Sequence, residues 1–429
     1  MVCALHVERG FSPLDEELEL LPVNLTPRLG EWLVRLGTWM PFGRACQMLE
    51  GMSGARVSEA TARRQVEGAG AAYVAVQEEQ VEVIERQLPL PEPGAEKLLM
   101  SVDGAMVPLV RGEWAEVKTL VIGEVGEPVL AGGEKVVHTE KLSYFCRLAD
   151  ADSFSRLALV ETQRRGVESA GRVWAVTDGA EWEQGFIDMH RSDAVRILDF
   201  AHAAERVSQV GQALLGEGSS EARQWLDERV HRLKAEGPGS LLAELRLLNE
   251  QQPQVAVLAE NLAYLGKREG HMQYPLYVAQ GFPLGSGAAE SANKLVVEAR
   301  LKGAGMHWGR EHVNPMLGLR NIVCNDRWEE AWPKITAQLR QQARQGRQER
   351  RRQRLALGAI GQPSSPLTAL PPAPQPVLTL AQEQPLSQAP PPVIKAKQPH
   401  RPGPDHPWRH SPIGKAKYLP YKRYPDAKL

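Results

Sequence analysis

The sequence predicts an α/β protein, with a mixed sheet covered by helices on both faces, an N-terminal helical region before it and an all-helical insertion within it. Three observations predict this. Strand-length apolar runs, KLLMSVDGAMVPL and EWAEVKTLVIGEV, occupy 97–125. Strand-like and helix-like runs then alternate from 172 onward: RVWAVTDGA, EWEQGFIDMH, AVRILDF, AHAAERVSQVGQALL. From about 204 to 282 nearly every segment has helical spacing. Strands that alternate with helices imply a sheet with both faces covered.

Each element has a local reason. Thr26 before Pro27 caps a helix that runs through LGEWLVRLGTWM. FGRACQMLEGM is a second helix ending near Gly51 and Gly54, and Ser58 caps a third, SEATARRQVEGAG. Two short helices joined by a Gly-bearing turn fit either a helix-turn-helix or an ordinary helical hairpin; the second would turn Arg63, Arg64 and Gln65 outward. A long helix, AAYVAVQEEQVEVIERQL, leads into the linker LPLPEPG at 88–94. KLLMSVDGAMVPL then reads as strand, Gly-containing turn and strand, EWAEVKTLVIGEV as a third strand, and KLSYFCRL as an addition to the sheet or a loop beside it. SFSRLALVETQRRG reads as a helix, and the short apolar RVWAVT as a buried parallel strand ending at Asp178. The boundaries expected are 1–95 for the helical region, 96–203 for the first part of the core, 204–283 for the insertion and 284–340 for the rest of the core. The tail, 341–429, is basic, then rich in Pro, Gln and Ala, and is expected to be disordered.

At 429 residues the chain has room for two to three domains. Its 42% hydrophobic and 24% charged residues are ordinary for a globular protein. The start, MVCALHVERG, has no charged region followed by an apolar one, and no run approaches the ~18 apolar residues of a membrane span. The four cysteines lie far apart and fit no disulfide scaffold. These features fit a cytoplasmic protein. A net charge of −1 argues against a uniformly basic coat. It conceals an acidic start (DEELEL, EEQVEVIE) and a basic run, RQQARQGRQERRRQR, at 340–354.

Two aspartates stand at matching places, Asp103 in LLMSVDG and Asp178 in VWAVTDG, each expected at the C-terminal end of a strand with Gly next. In open α/β sheets that edge is where sites form. Asp-Gly is also a common turn. A third acid, Glu290, opens the helix GSGAAESANKLVVEARLKG after the insertion. Glu298 lies eight residues on, roughly 80° round the helix, and at the spacing of an ion pair with Lys302. Clustered carboxylates repel unless a cation neutralises them, and an all-oxygen set suits Mg²⁺ or Mn²⁺. Two such ions can activate a water or hydroxyl and stabilise the leaving oxygen of a phosphodiester.

SVDGAMVPL…EWAEVKTLVIGEV, VTDGAEW and GSGAAESANKLVVEARLKGAGMHWGREHVNPMLGLRN together resemble the DDE transposases of bacterial insertion sequences, of the Kra/Lre type and distantly similar to Mutator-like elements. The resemblance spans about 10–340. It implies an RNase H-like core with an all-helical insertion before the last acid, and an acidic triad of Asp103, Asp178 and Glu290 holding Mg²⁺, for which Mn²⁺ can substitute. Asp199-Phe-Ala-His202 resembles the family's C/D-x-x-H motif, where His202 would contact DNA or orient Asp199, or would be structural at a helix start. Relatives carry a Cys-rich, zinc-ribbon-like segment ahead of PLDEEL; Cys3-Ala-Leu-His6 supplies only two ligands, so the chain is expected to start late.

The expected partners are the element's terminal inverted repeats and target DNA, with a homo-oligomer forming on DNA and a nucleoid association. The N-terminal helices, with Arg63 and Arg64, would bind the repeats, and the basic run at 340–354 would add nonspecific phosphate contacts. Arg300, Lys302 and Trp308 lie in RLKGAGMHW, which suits phosphate contact with flanking stacking, or else a helix cap and turn packed by Met306 and Trp308. Trp182 reads as core or as a DNA wedge. Two rivals share these residues: an RNase H-fold nuclease that cuts without joining, and a DNA-binding remnant without turnover.

Overall fold

The computed structural model describes residues 25–131 and 134–360. Cys3, His6 and the Pro-rich part of the tail lie outside them. Five strands form the main sheet: β1 (Lys97–Pro108), β2 (Trp114–Val125), β5 (Thr139–Arg147), β6 (Arg172–Thr177) and β7 (Val195–Leu198). Their order is β5-β2-β1-β6-β7. β2 is antiparallel to β1 and to β5, whereas β1, β6 and β7 run parallel. Short strands β3 (Val129–Ala131) and β4 (Glu134–Val136) pair beside it.

The first correction concerns β1. No turn divides KLLMSVDGAMVP: the register with β2 is unbroken from Leu98↔Glu124 to Pro108↔Trp114, so Asp103 sits mid-strand opposite Thr119. Gly104 lies within the ladder, opposite Lys118, and not in a turn. A Cβ at that position would meet the Glu116 side chain across the ladder at 2.4 Å. β1 pairs with β6 only over Lys97–Leu99, so beyond Leu99 the two strands lie side by side without a continuous ladder.

Side-chain alternation sorts the core. Leu98, Met100 and Val102 of β1 face Phe154, Phe186 and Ile187 on one side. Ala105 and Val107 face the opposite way, into a core with Val296, Val297, Met316 and Leu319. Val34, Val66, Ala69 and Ala72 of the N-terminal helices belong to that same core, so the first helices are built onto the sheet. β6 and β7 contribute Val176 and Ile197 to a third cluster with Leu233, Leu245, Leu265 and Tyr274 of the insertion.

Thr26 caps Pro27–Trp39 as its sequence predicts, and Ser58 caps the third helix. That helix does not stop at GAG; it is continuous over Glu59–Gln87. Its Gly70 serves close packing: a Cβ there would meet the Pro315 carbonyl oxygen at 2.1 Å. The insertion contains helices Ser220–Glu236, Pro238–Gln251, Ala256–Lys267 and Tyr274–Ala279. The last described helix is Trp328–Ile360, so the basic run at 340–354 is helical, which corrects the expectation of disorder from 341. No described helix is long and apolar enough to cross a membrane.

Candidate active site

Asp103 is held from two sides. Its Oδ1 accepts the Gly104 N–H at 2.7 Å and its Oδ2 accepts Asn293 Nδ2 at 2.8 Å. Its pKa is raised, chiefly by burial, and further by the charges of Asp178 and Glu290; the Gly104 hydrogen bond and His202 oppose the rise. Asp178 and Glu290, the other two acids expected from sequence, thus both bear on Asp103. Glu298 pairs with Lys302 at 2.6 Å, whereas the charge of Glu290 is among the leading causes of the Asp103 shift.

Asp178 follows the last residue of β6. Gly179 has φ +84°, a left-handed conformation that glycine adopts without strain, and Asp178 Oδ1 accepts the Ala180 N–H at 2.8 Å to close the turn. A fourth acid stands here that the sequence reading missed. Glu183 is buried, and its Oε2 accepts the N–H groups of Gly179 and Ala180 at 2.9 and 3.0 Å. Burial, then a hydrogen bond with Asp178 and the Asp178 charge, push its pKa up to about 10. Glu183 is thus neutral at pH 7. In sequence it resembled any first-turn acid of an exposed helix; only its offset of five from Asp178 could have flagged it.

Glu290 lies in the short helix Gly287–Ala292 and is exposed, with Lys294 Nζ 3.7 Å away. The chain then makes a π-helical segment, Asn293–Glu298. Such segments are rare and concentrate at functional sites. Asn293, three residues after Glu290 and so on its face of the helix, points into the site and touches Asp103. Its Oδ1 is buried and has no hydrogen-bond partner.

Asp199 is buried and occupied. Oδ1 accepts the N–H groups of Ala201 and His202, capping Phe200–Leu215, and Oδ2 accepts the Ser286 N–H. The Phe200 N–H also donates to the Leu284 carbonyl at 3.0 Å. Asp199 thereby ties the end of β7 to the loop that leads into the Glu290 helix. His202 is half-exposed, and its side chain lies 3.9 Å from Glu205.

The basic residues divide. Arg63 pairs with Glu67 at 2.8 Å, and both Arg63 and Arg64 lie on the exposed side of their helix. Arg300 and Trp308 are buried, which corrects the phosphate contact expected of Arg300 and the base stacking expected of Trp308. The Arg300 guanidinium lies between the rings of Phe42 and Trp308, 4.9 and 5.1 Å from their centroids, and donates to the Gly37 carbonyl. Trp308 Nε1 donates to the Leu301 carbonyl. Lys302 is held by Glu298. Trp182 packs on Phe154 as part of the core, with Lys118 over its ring.

The donor chemistry suits a hard divalent cation: all three candidate ligands are carboxylates, and burial and neighbouring negative charge disfavour the ionised form of Asp103. Among the described residues, however, no three His, Cys, Asp or Glu side chains are gathered closely enough to form a ready metal site. No protein-family model matches the chain, and no curated protein matches it.

Proposed function

We propose that this chain is a DDE-type transposase with an RNase H-like core that cleaves DNA strands at insertion-sequence ends and joins them to target DNA. The observation that carries the reading is the placement of the acids: Asp103 lies mid-β1, Asp178 follows the neighbouring strand β6, and Asn293, three residues after Glu290, hydrogen-bonds Asp103 from the helix beyond the insertion. The sheet order β5-β2-β1-β6-β7 with β2 alone reversed supports the RNase H-like assignment. The helical insertion falls between the second and third acids, which supports it further.

In this reading Asp103, Asp178 and Glu290 would hold Mg²⁺ or Mn²⁺. The cation supplies charge neutralisation and an activated nucleophile for phosphodiester chemistry. The chain's own residues position the carboxylates: Asn293 orients Asp103, Glu183 braces the Asp178 turn, and Asp199 fixes the approach to Glu290. The exposed Arg63 and Arg64 would contact DNA, and synapsis of two ends would require more than one copy.

The test is incubation of plasmid DNA carrying the gene's bordering sequences with Mg²⁺ or Mn²⁺, for wild type beside Asp103→Asn, Asp178→Asn and Glu290→Gln. Joined products that vanish in all three variants support the transposase. Metal-dependent nicks without joining would replace it with the nuclease. End binding without cutting by wild type would replace it with the inactive DNA-binding remnant.

A further inference from the structure

The turn that carries Asp178 has two carbonyls that no sheet ladder uses, and the helical insertion takes both. The Tyr264 hydroxyl donates to the main-chain oxygen of Asp178 itself. Arg268 donates from Nε at 3.0 Å, and from Nη2, to the Gly179 carbonyl. The Arg268 guanidinium also lies over the Tyr264 ring, 3.8 Å from its centroid, and its Nη1 returns to the Tyr264 carbonyl at 3.0 Å. On the same ring sits Arg206, at 4.3 Å. Lys267 adds an ion pair to Glu181, one residue past the turn, at 2.6 Å. The fit leaves no slack: a Cβ on Gly179 would meet Arg268 Nε at 2.4 Å.

From this we infer that the insertion is a structural part of the catalytic centre, with Tyr264 and Arg268 as positioning residues that set the Asp178 carboxylate for its cation. The inference rests on the reading of Asp178 as a cation ligand. The physical case is direct. The Asp178 carboxylate is fixed by its own turn through the Ala180 N–H. That turn contains a glycine, the residue with the most backbone freedom to lose. Glu183 grips its N–H groups from the core side, and Tyr264 with Arg268 grips its carbonyls from the insertion side. Released from one side, the turn regains freedom and the carboxylate loses its fixed direction. Groups that orient a metal ligand without touching the metal cost about 10–100-fold in affinity when removed.

The experiment titrates Mn²⁺ into the full chain, read as loss of the free-ion electron paramagnetic resonance signal, with a thermal melt of each sample. Wild type is compared with Tyr264→Phe and with Tyr277→Phe. The Tyr277 hydroxyl also ties the insertion down, to the Gly270 carbonyl at 2.9 Å and the Arg196 carbonyl of β7 at 3.3 Å, but makes no hydrogen bond to the Asp178 turn. Weakening of Mn²⁺ binding by about tenfold or more in Tyr264→Phe, with Tyr277→Phe at wild-type affinity, supports the inference. Equal affinity in all three proteins overturns it while leaving the cation site standing. A wild type that binds no Mn²⁺ overturns the reading of the acids and this inference with it. If Tyr264→Phe melts more than about 5 °C below wild type, Arg268→Lys takes its place. Lysine keeps the charge but cannot set two N–H groups on one carbonyl. Wild-type affinity in that variant also overturns the inference.

Discussion

Asp103 and Glu183 show how the fold treats carboxyl groups crowded around Asp178. Glu183 stays protonated because burial and Asp178 disfavour its charge. A neutral amide can therefore replace it: glutamine keeps an oxygen for the Gly179 and Ala180 N–H groups and a donor for Asp178. Glu183→Gln should hold stability within about 1 kcal/mol, whereas Glu183→Ala leaves the Gly179 and Ala180 N–H groups only Thr177 Oγ1 and Asp178 Oδ1, opens a buried space, and should cost about 2 kcal/mol in urea unfolding. Asp103 has the opposite balance. Its two accepted hydrogen bonds leave it near Asp178 and Glu290, and Asn293 Oδ1 lacks a partner beside it. Asp103→Asn removes the repulsion and supplies a donor that a flipped Asn293 amide can accept. Without added metal, this variant should melt about 2 °C above wild type while losing any cleavage, the usual opposition of stability and function at a site. The aspartates and Glu290 were legible from their sequence context. Glu183 and Asn293 were not, because their importance lies in what folding places beside them.

At the scale of elements, the sequence misled wherever a glycine lay inside an element rather than in a turn. VDGAM reads as a turn, yet β1 runs straight through it, paired residue by residue with β2. EGAGAA reads as a break, yet the helix continues and Gly70 admits the Pro315 backbone. Gly70→Ala must force these helices apart and should cost about 3 kcal/mol by denaturant midpoint, against a gain from helix propensity if the glycine were idle. Ion pairs between elements add a pH dependence. Arg164 grips Glu330 with two hydrogen bonds at 2.6 and 2.7 Å, which, with Lys334, lowers the Glu330 pKa to about 2. A depressed acid contributes stability above its unfolded pKa and loses it as pH falls toward the folded value. The contribution should be complete above pH 4.5 and fade toward about pH 2. The Glu330 side chain is 42% exposed, so solvent screening limits Glu330→Gln to about 0.5 kcal/mol at pH 7. Melts of both proteins should converge near pH 2.

Across the whole molecule, a net charge of −1 is the sum of regions with opposite character. The sequence showed the basic run at 340–354 and implied that it could not fold alone. The fold instead continues Trp328–Ile360 through it, anchored by Trp328, Ala331 and Ile335 in the core. Beyond Gln342 nearly every described side chain on this helix is exposed or half-exposed. The run holds seven arginines and one glutamate, with Arg340, Arg344, Arg347, Arg351 and Arg354 spaced four and three apart along one face. A polyanion lying along the stripe would meet several of these cations at once. Ending the chain at residue 339 leaves the core anchors in place. It should therefore leave the melting temperature nearly unchanged and weaken binding to duplex DNA of any sequence. The logarithm of affinity falls with the logarithm of salt by about 0.9 per neutralised phosphate, so the shortened chain should show a slope shallower by that amount for each phosphate its arginines no longer neutralise. An unchanged slope would mean that the arginine face meets something other than nucleic acid, and DNA binding would then rest on the N-terminal helices with Arg63 and Arg64.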